Sequence, residues 1–131
     1  MMGSSCKKEV EAFFSNQEKK IMLFMAVERL NDTIGPATIE VKKSQISFGT
    51  NTKFAWVWLL QSLVNKRPEN GIVLTFVVDH YIENDQIVEV REPYPGRWIH
   101  HLIIQNEDDL NEEVKQWLAE AYTFSEQRRK K

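Results

Sequence analysis

The order of hydrophobic patterns along this chain predicts an α+β fold, a mostly antiparallel sheet of about five or six strands flanked by N-terminal and C-terminal helices. Three observations carry that expectation. A helical stripe stops at Gly35-Pro36, strand-type runs fill residues 38–105, and a second helical stripe follows Asp109. The links between the strand runs are too short for the crossovers that parallel strands need.

Residues 8–14 are weakly helical, and Ser15-Asn16 offers the N-cap of a second helix with Glu18 in its first turn, where a carboxylate suits the helix dipole. Ile21, Phe24, Met25, Val27, Leu30 and Ile34 form that helix's apolar stripe. Gly35 then serves as C′ glycine, and Pro36 cannot continue the helix. Ile39 and Val41 alternate with Thr38, Glu40 and Lys42, Ser44-Gln45 reads as a tight connection or bulge, and Ile46 and Phe48 resume the alternation up to Gly49-Thr50-Asn51. This is the pattern of an edge hairpin. Residues 54–60 are apolar at both parities, and 72–78 repeat the pattern after the turn Arg67-Pro68-Glu69-Asn70-Gly71, so both strands are expected at the centre, covered on both faces. Residues 87–91 and 98–105 complete the sheet. Asp109 with Glu112 makes a capping-box pattern, and Leu110, Val114, Trp117, Leu118, Ala121 and Phe124 recur at helical spacing, so the last helix should dock on the sheet. The helices are expected on one sheet face, with the other partly open.

A length of 131 residues suits one domain that buries roughly two-thirds of its unfolded surface. Residues 1–131 are read as that domain, with 1–7 expected to be disordered or foreign to the natural chain and 126–131 a basic tail. Hydrophobic residues at 42% and charged residues at 27% exclude disordered and low-complexity classes. Cys6, the single cysteine, can make neither an internal disulfide nor a cysteine-based zinc site, which fits a reducing cytoplasm. No apolar run is long enough to span a bilayer and the first residues lack a signal-peptide core, so a cytoplasmic protein without membrane contact is expected. The net charge of −2 hides an uneven layout, with residues 36–68 basic, residues 79–113 acidic and 128–131 basic. That balance does not favour a nucleic-acid partner, although Lys42, Lys43, Lys53 and Arg97 near aromatics leave one open.

The most distinctive stretch is Glu92-Pro93-Tyr94-Pro95-Gly96-Arg97-Trp98-Ile99-His100-His101, a proline-glycine turn feeding straight into ring-bearing side chains. Adjacent histidines on a strand point to opposite faces and no further ligand spacing accompanies them, so His100 and His101 are expected to be hydrogen-bonded structural residues and no metal is expected. His80 reads as a turn residue. Ser44 and Ser47 could approach His100 or His101 across the sheet, though serines at such positions are ordinarily turn and cross-strand hydrogen-bonders. The carboxylates Glu89, Glu92 and 107–113 have no glycosidase-like arrangement, and with no phosphate-binding glycine loop no cofactor is expected. Trp56 and Trp58 share a strand face with Phe54, giving either plain core or an aromatic floor on which a flat ligand or a cation stacks.

Four motifs, Lys43-Ser44-Gln45-Ile46-Ser47-Phe48, Phe54-Ala55-Trp56-Val57-Trp58-Leu59, Pro95-Gly96-Arg97-Trp98-Ile99-His100-His101 and Trp117-Leu118-Ala119-Glu120-Ala121-Tyr122, together resemble a bacterial family of unknown function over residues 10–123. Some members of that family are labelled predicted transport proteins, and similar domains also occur fused to nuclease-like modules. The resemblance implies an accessory binding role and singles out Lys43, Ser44, Gln45, Trp56, Trp58, Arg97, Trp98, His100 and His101. The same residues stand out chemically. They predict a cytoplasmic binding module with a pocket for an anionic or planar ligand. The alternatives are a small hydrolase or transferase using His100 or His101 as general base, and a homodimeric interaction domain.

Overall fold

The computed structural model of the chain describes residues 3–43, 45–59 and 71–127, without the side chains of 3–7 and 59. Ser44, the Cys6 side chain, most of the expected turn before Gly71 and the basic residues 128–131 lie outside the described residues. The element order is α1 (Gly3–Phe13), α2 (Glu18–Ile34), β1 (Thr38–Val41), β2 (Gln45–Gly49), β3 (Lys53–Leu59), β4 (Ile72–Val78), β5 (Ile87–Tyr94), β6 (Arg97–Ile104), a 3-10 turn (Glu107–Asp109) and α3 (Glu112–Gln127). The strands form a six-stranded sheet in the order β1-β2-β3-β4-β6-β5, with every neighbouring pair antiparallel. The fold is α+β. The β5–β6 hairpin folds back so that β6, not β5, pairs with β4, and the two strands expected at the centre are there.

The helices share one sheet face. Val10 and Phe14 of the first helical segment, Leu23, Phe24 and Val27 of α2, and Val114, Trp117, Leu118, Ala121 and Tyr122 of α3 join one cluster with Ile46, Phe48, Val57, Leu74, Phe76 and Leu102 of the sheet. The strand residues in that list are register partners, as Ile46 opposite Val57, Val57 opposite Leu74 and Leu74 opposite Leu102 show. Alternate residues therefore face away from the helices. Phe54 breaks this alternation. Gly49 pairs with Lys53 and Phe48 with Ala55, so Phe54 is an extra residue in a bulge, and its ring turns to the helix side, 5.4 Å from the ring of Tyr122. Phe54 is thus absent from the aromatic floor that it was expected to form with Trp56 and Trp58.

Local signals at the helix ends were reassigned by tertiary context. Ser15 and Asn16 have φ of 53° and 59° and form a left-handed link that closes α1, while Gln17 occupies the N-cap of α2 without a side-chain bond. Gly35 has φ 165°, an extended conformation open to any residue. Space, not dihedral freedom, requires glycine there, because a Cβ would lie 2.5 Å from the Tyr122 hydroxyl. At α3, Asp109 caps the preceding 3-10 turn by accepting from the Gln105 and Asn106 amides, and Asn111 caps the helix by accepting from the Val114 amide at 3.0 Å. The β2–β3 turn is tied to the far end of α3 by a Thr50–Ser125 hydroxyl pair and by the Asn51 amide donating to the Glu126 carbonyl at 2.8 Å.

Both sheet edges are poor templates for strand addition. β1 has four residues, and β5 carries register shifts between Ile87 and Glu89 and between Arg91 and Tyr94, with Pro93 inside the second. Bulges and proline twist an edge away from further pairing. Among the described residues, no helix is long and apolar enough to cross a membrane.

Candidate functional site

The sheet face turned away from the helices gathers most of the chemistry that the sequence singles out. One rung crosses all six strands and carries Glu40, Ser47, Trp56, Thr75, His101 and Glu89, each the register partner of the next. The neighbouring rung carries Gln45, Trp58, Val73 and Ile103. Strand alternation places Arg97, two and four residues before Ile99 and His101, on this same face. Gln45, Trp56, Trp58 and His101 are therefore on two adjacent rungs of one face, and Arg97 is on the same face but six residues along β6 from the Trp58 rung, about 20 Å at ordinary strand rise. Trp98 and His100 are on the other, with Trp98 half-buried against Tyr81 and His100 buried against Phe76, Lys43 is exposed beside the β1–β2 turn, and Ser44 lies outside the described residues.

The centre of the rung is dry. Ser47 is 1% exposed, Thr75 2% and His101 7%, while Trp56 and Trp58 are half-buried. Thr75 Oγ1 lies 2.7 Å from His101 Nδ1, a short buried hydrogen bond between neighbouring strands. Burial pushes the His101 pKa down, and the Glu89 carboxylate opposite it opposes that shift while the Arg91 guanidinium adds to it. Arg91 Nε donates to Glu89 Oε2 at 2.7 Å. At the other end of the rung Lys53 and Lys42 approach Glu40 at 2.8 and 3.1 Å and hold its carboxyl below the usual range. Both ends of the rung are thus charge-paired, and its middle is a neutral row of ring and hydroxyl groups.

Ser47 does not reach a histidine. It is three strands from His101, about 14 Å at ordinary strand spacing, and the hydroxyl beside the imidazole belongs to Thr75 instead. Sequence reasoning passed over Thr75, although it is the one polar residue in the strand Ile-Val-Leu-Thr-Phe-Val-Val. A threonine between bulky apolar neighbours in a fully buried strand needs a partner, and that need was the available signal.

A second feature of this face is the Trp58 indole. Its Nε1 is buried and has no hydrogen-bond partner among the described residues. Gln45, the register partner of Trp58 on β2, is half-buried and brings an amide to the same rung. A donor shielded from water without an acceptor is a costly arrangement, about 1–3 kcal/mol, and marks where an acceptor-bearing group would be welcome.

His100 has a different environment. It is 0% exposed and stacks on Phe76 with centroids 4.8 Å apart and planes 6° from parallel. Its Nε2 accepts the Ile82 amide at 3.0 Å, which fixes the neutral ring with its proton on Nδ1. Burial lowers its pKa to about 4, against a weaker opposing effect from the Trp98 backbone, which makes no well-formed hydrogen bond to Nδ1. His80 sits in the turn after β4, and its Nε2 lies 2.7 Å from Glu120 Oε1 of α3, an ion pair the sequence does not announce. Among the described residues, no group of three His, Cys, Asp or Glu side chains could hold a metal ion.

Chemically, the face opposite the helices can stack a flat group on Trp56 and Trp58, donate through indole and guanidinium, and exchange a proton at a neutral imidazole. No curated protein and no solved structure matches the chain. A family model does, from the buried Val10 of α1 to the buried Ser125 of α3, which takes in every strand and both sheet faces. With residues 10–125 matched, the chain belongs to the family described as Domain of unknown function (DUF5655).

Proposed function

We propose that the chain is a single-domain binding module of a bacterial cytoplasm that holds a planar or anionic ligand on the sheet face opposite its helices, over Gln45, Trp56 and Trp58. The observation that carries this reading is the buried, unpartnered Trp58 indole N–H. A carbonyl, carboxylate or phosphate oxygen placed there satisfies that donor, and the two indoles provide stacking surface. The paired charges at both ends of the central rung leave a neutral middle, which suits a small flat molecule better than a long polyanion. A metabolite screen read by melting temperature tests it. A hit whose stabilisation is lost in both Trp58→Phe and Gln45→Ala supports the reading, and one that persists in both removes it.

A second reading has its own observation. Thr75 Oγ1 and His101 Nδ1 at 2.7 Å, with Glu89 opposite the imidazole, form a hydroxyl–imidazole–carboxylate row of the type that serves general base catalysis. In a hydrolase or transferase built on it, His101→Gln abolishes turnover of the identified ligand without weakening its binding. A ligand bound but never converted by the wild-type protein decides for the module.

A further inference from the structure

Residues 79–86, between β4 and β5, form no helix or strand, yet they are held against the rest of the molecule almost entirely by side chains. At one end His80 Nε2 meets Glu120 Oε1 of α3 at 2.7 Å. At the other, Gln86 Nε2 donates to the Asp109 carbonyl at 3.0 Å and Gln86 Oε1 accepts from Asn111 at 2.9 Å. Among the described residues the middle has one short bond to the body, from the Ile82 amide to His100 Nε2 at 3.0 Å, and a long one from Asn84 to Glu113 at 3.4 Å. Tyr81 lays its ring against Trp98 and His100, at 5.6 and 6.4 Å.

Beneath this strap the rings of His100, Phe76 and Trp117 form a column. His100 and Phe76 are 4.8 Å apart and Phe76 and Trp117 5.7 Å apart, with planes within 19° of parallel. Between the strap and β5 is an open cavity of ≈ 530 Å³ lined by Tyr81, Ile82, Asn84, Ile87, Glu89 and Val90 among others. The strap has room to move, and the His100 end of the column is what its movement would uncover.

We propose that residues 79–86 are a histidine-latched strap, anchored at His80 and Gln86, whose middle lifts off the ring column when His100 takes up a proton. The mechanism is a matter of lone pairs. Neutral His100 offers Nε2 as an acceptor to the Ile82 amide, and protonation turns that acceptor into a donor facing another donor. A buried imidazolium then needs water, and the strap side is where water can come from. The groups acting on His100 are His80 and His101, both of which disfavour its charge, and the Trp98 backbone, which favours it. Phe76 of β4 and Tyr81 of the strap pack on it and Val90 of β5 lies opposite it, all without charge. His80 responds in the opposite sense. Its pKa is raised, first by the Glu120 bond and further by Asp79, so acid strengthens the anchor while it releases the middle. The strap therefore lifts at Tyr81 and Ile82 and does not detach.

Amide exchange resolved by residue, between pH 7 and pH 4, tests this. Exchange at Ile82, corrected for intrinsic rate, should accelerate at least tenfold as the pH approaches about 4, where His100 titrates, while the Thr75 and Val77 amides of β4 stay protected. His100→Gln keeps a side-chain acceptor without a titrating group, so its Ile82 protection should not change over the same range. Ile82 protection that holds in the wild type until the whole sheet exchanges overturns the strap, as does acceleration of equal size in His100→Gln. Should that variant not fold, the wild-type ring supplies the second readout. The Ile82 amide resonance must then shift with the His100 titration, and an amide blind to that titration ends the proposal.

Discussion

Thr75 and His101 face each other on adjacent antiparallel strands, and their buried 2.7 Å hydrogen bond lies on the sheet face turned away from the helices. The bond explains how a hydroxyl and an imidazole share the centre of an otherwise apolar sheet. Thr75→Val preserves shape and removes the hydroxyl, leaving His101 Nδ1 buried without a partner. Its expected cost is about 1–3 kcal/mol, measured by urea denaturation, and Thr75→Ser should recover most of it. A valine variant as stable as the parent would mean that water already serves His101.

The buried histidines give the protein a directional pH response. The folded pKa of His100 is lowered from 6.5 to about 4, so the unfolded chain takes up the proton first as the medium is acidified. The stabilising effect is complete above pH ~6.5, shrinks as the pH falls toward 4, and levels off below that, with a full span of roughly 3 kcal/mol. His101 acts in the same direction. His80 acts oppositely, contributing below its unfolded pKa and losing that contribution as pH rises through its raised folded value, but its pair with Glu120 is largely exposed and weak. Unfolding free energy measured from pH 7 to pH 4 should fall in the wild type and fall less in His100→Gln.

Period and punctuation made the architecture legible. The strands Ile72–Val78 and Lys53–Leu59 announce their central places through apolar residues at both parities, and the proline-glycine turn before Arg97 announces the β5–β6 hairpin. What escaped was whatever depends on a third dimension. The bulge that turns Phe54 toward Tyr122 leaves no mark in a run of apolar residues. His100 and His101 could be assigned to opposite faces by alternation, but not to a strap in one case and a threonine in the other. His80 and Glu120 are 40 residues apart, and neither has a local reason to meet the other.

Gly35 and Tyr122 are predicted to be energetically coupled. The Tyr122 hydroxyl donates to the Pro36 carbonyl at 2.7 Å across the space that a side chain at position 35 would fill. Tyr122→Phe should cost about 1 kcal/mol for the lost bond. Gly35→Ala should cost more, about 1–3 kcal/mol, because the new methyl group lies 2.5 Å from the hydroxyl and 2.7 Å from the ring carbon bearing it, and the ring is itself packed on Phe54. The double variant should lose less than the sum of the two, since the alanine already displaces the hydroxyl from Pro36. Strict additivity in a thermal denaturation series would show that the ring yields without breaking its bond.

Trp58→Phe separates stability from binding on the face opposite the helices. A tryptophan whose N–H is buried without an acceptor contributes its apolar area but bears the desolvation cost of the donor. Phenylalanine gives up part of that area and all of that cost, so the two changes offset and the net effect on unfolding should stay within about 1 kcal/mol. Trp56 has no such orphaned atom to shed, so Trp56→Phe should be the more destabilising of the pair. Ligand response should follow a different order. If an acceptor oxygen sits on the Trp58 indole, Trp58→Phe removes the bond and should weaken binding about tenfold or more, one charge-assisted hydrogen bond's worth, in a protein that still melts normally. Titration calorimetry with the screened ligand reads that loss directly, and equal affinities for the Trp58→Phe and wild-type proteins would move the ligand off the indole and onto another part of the face.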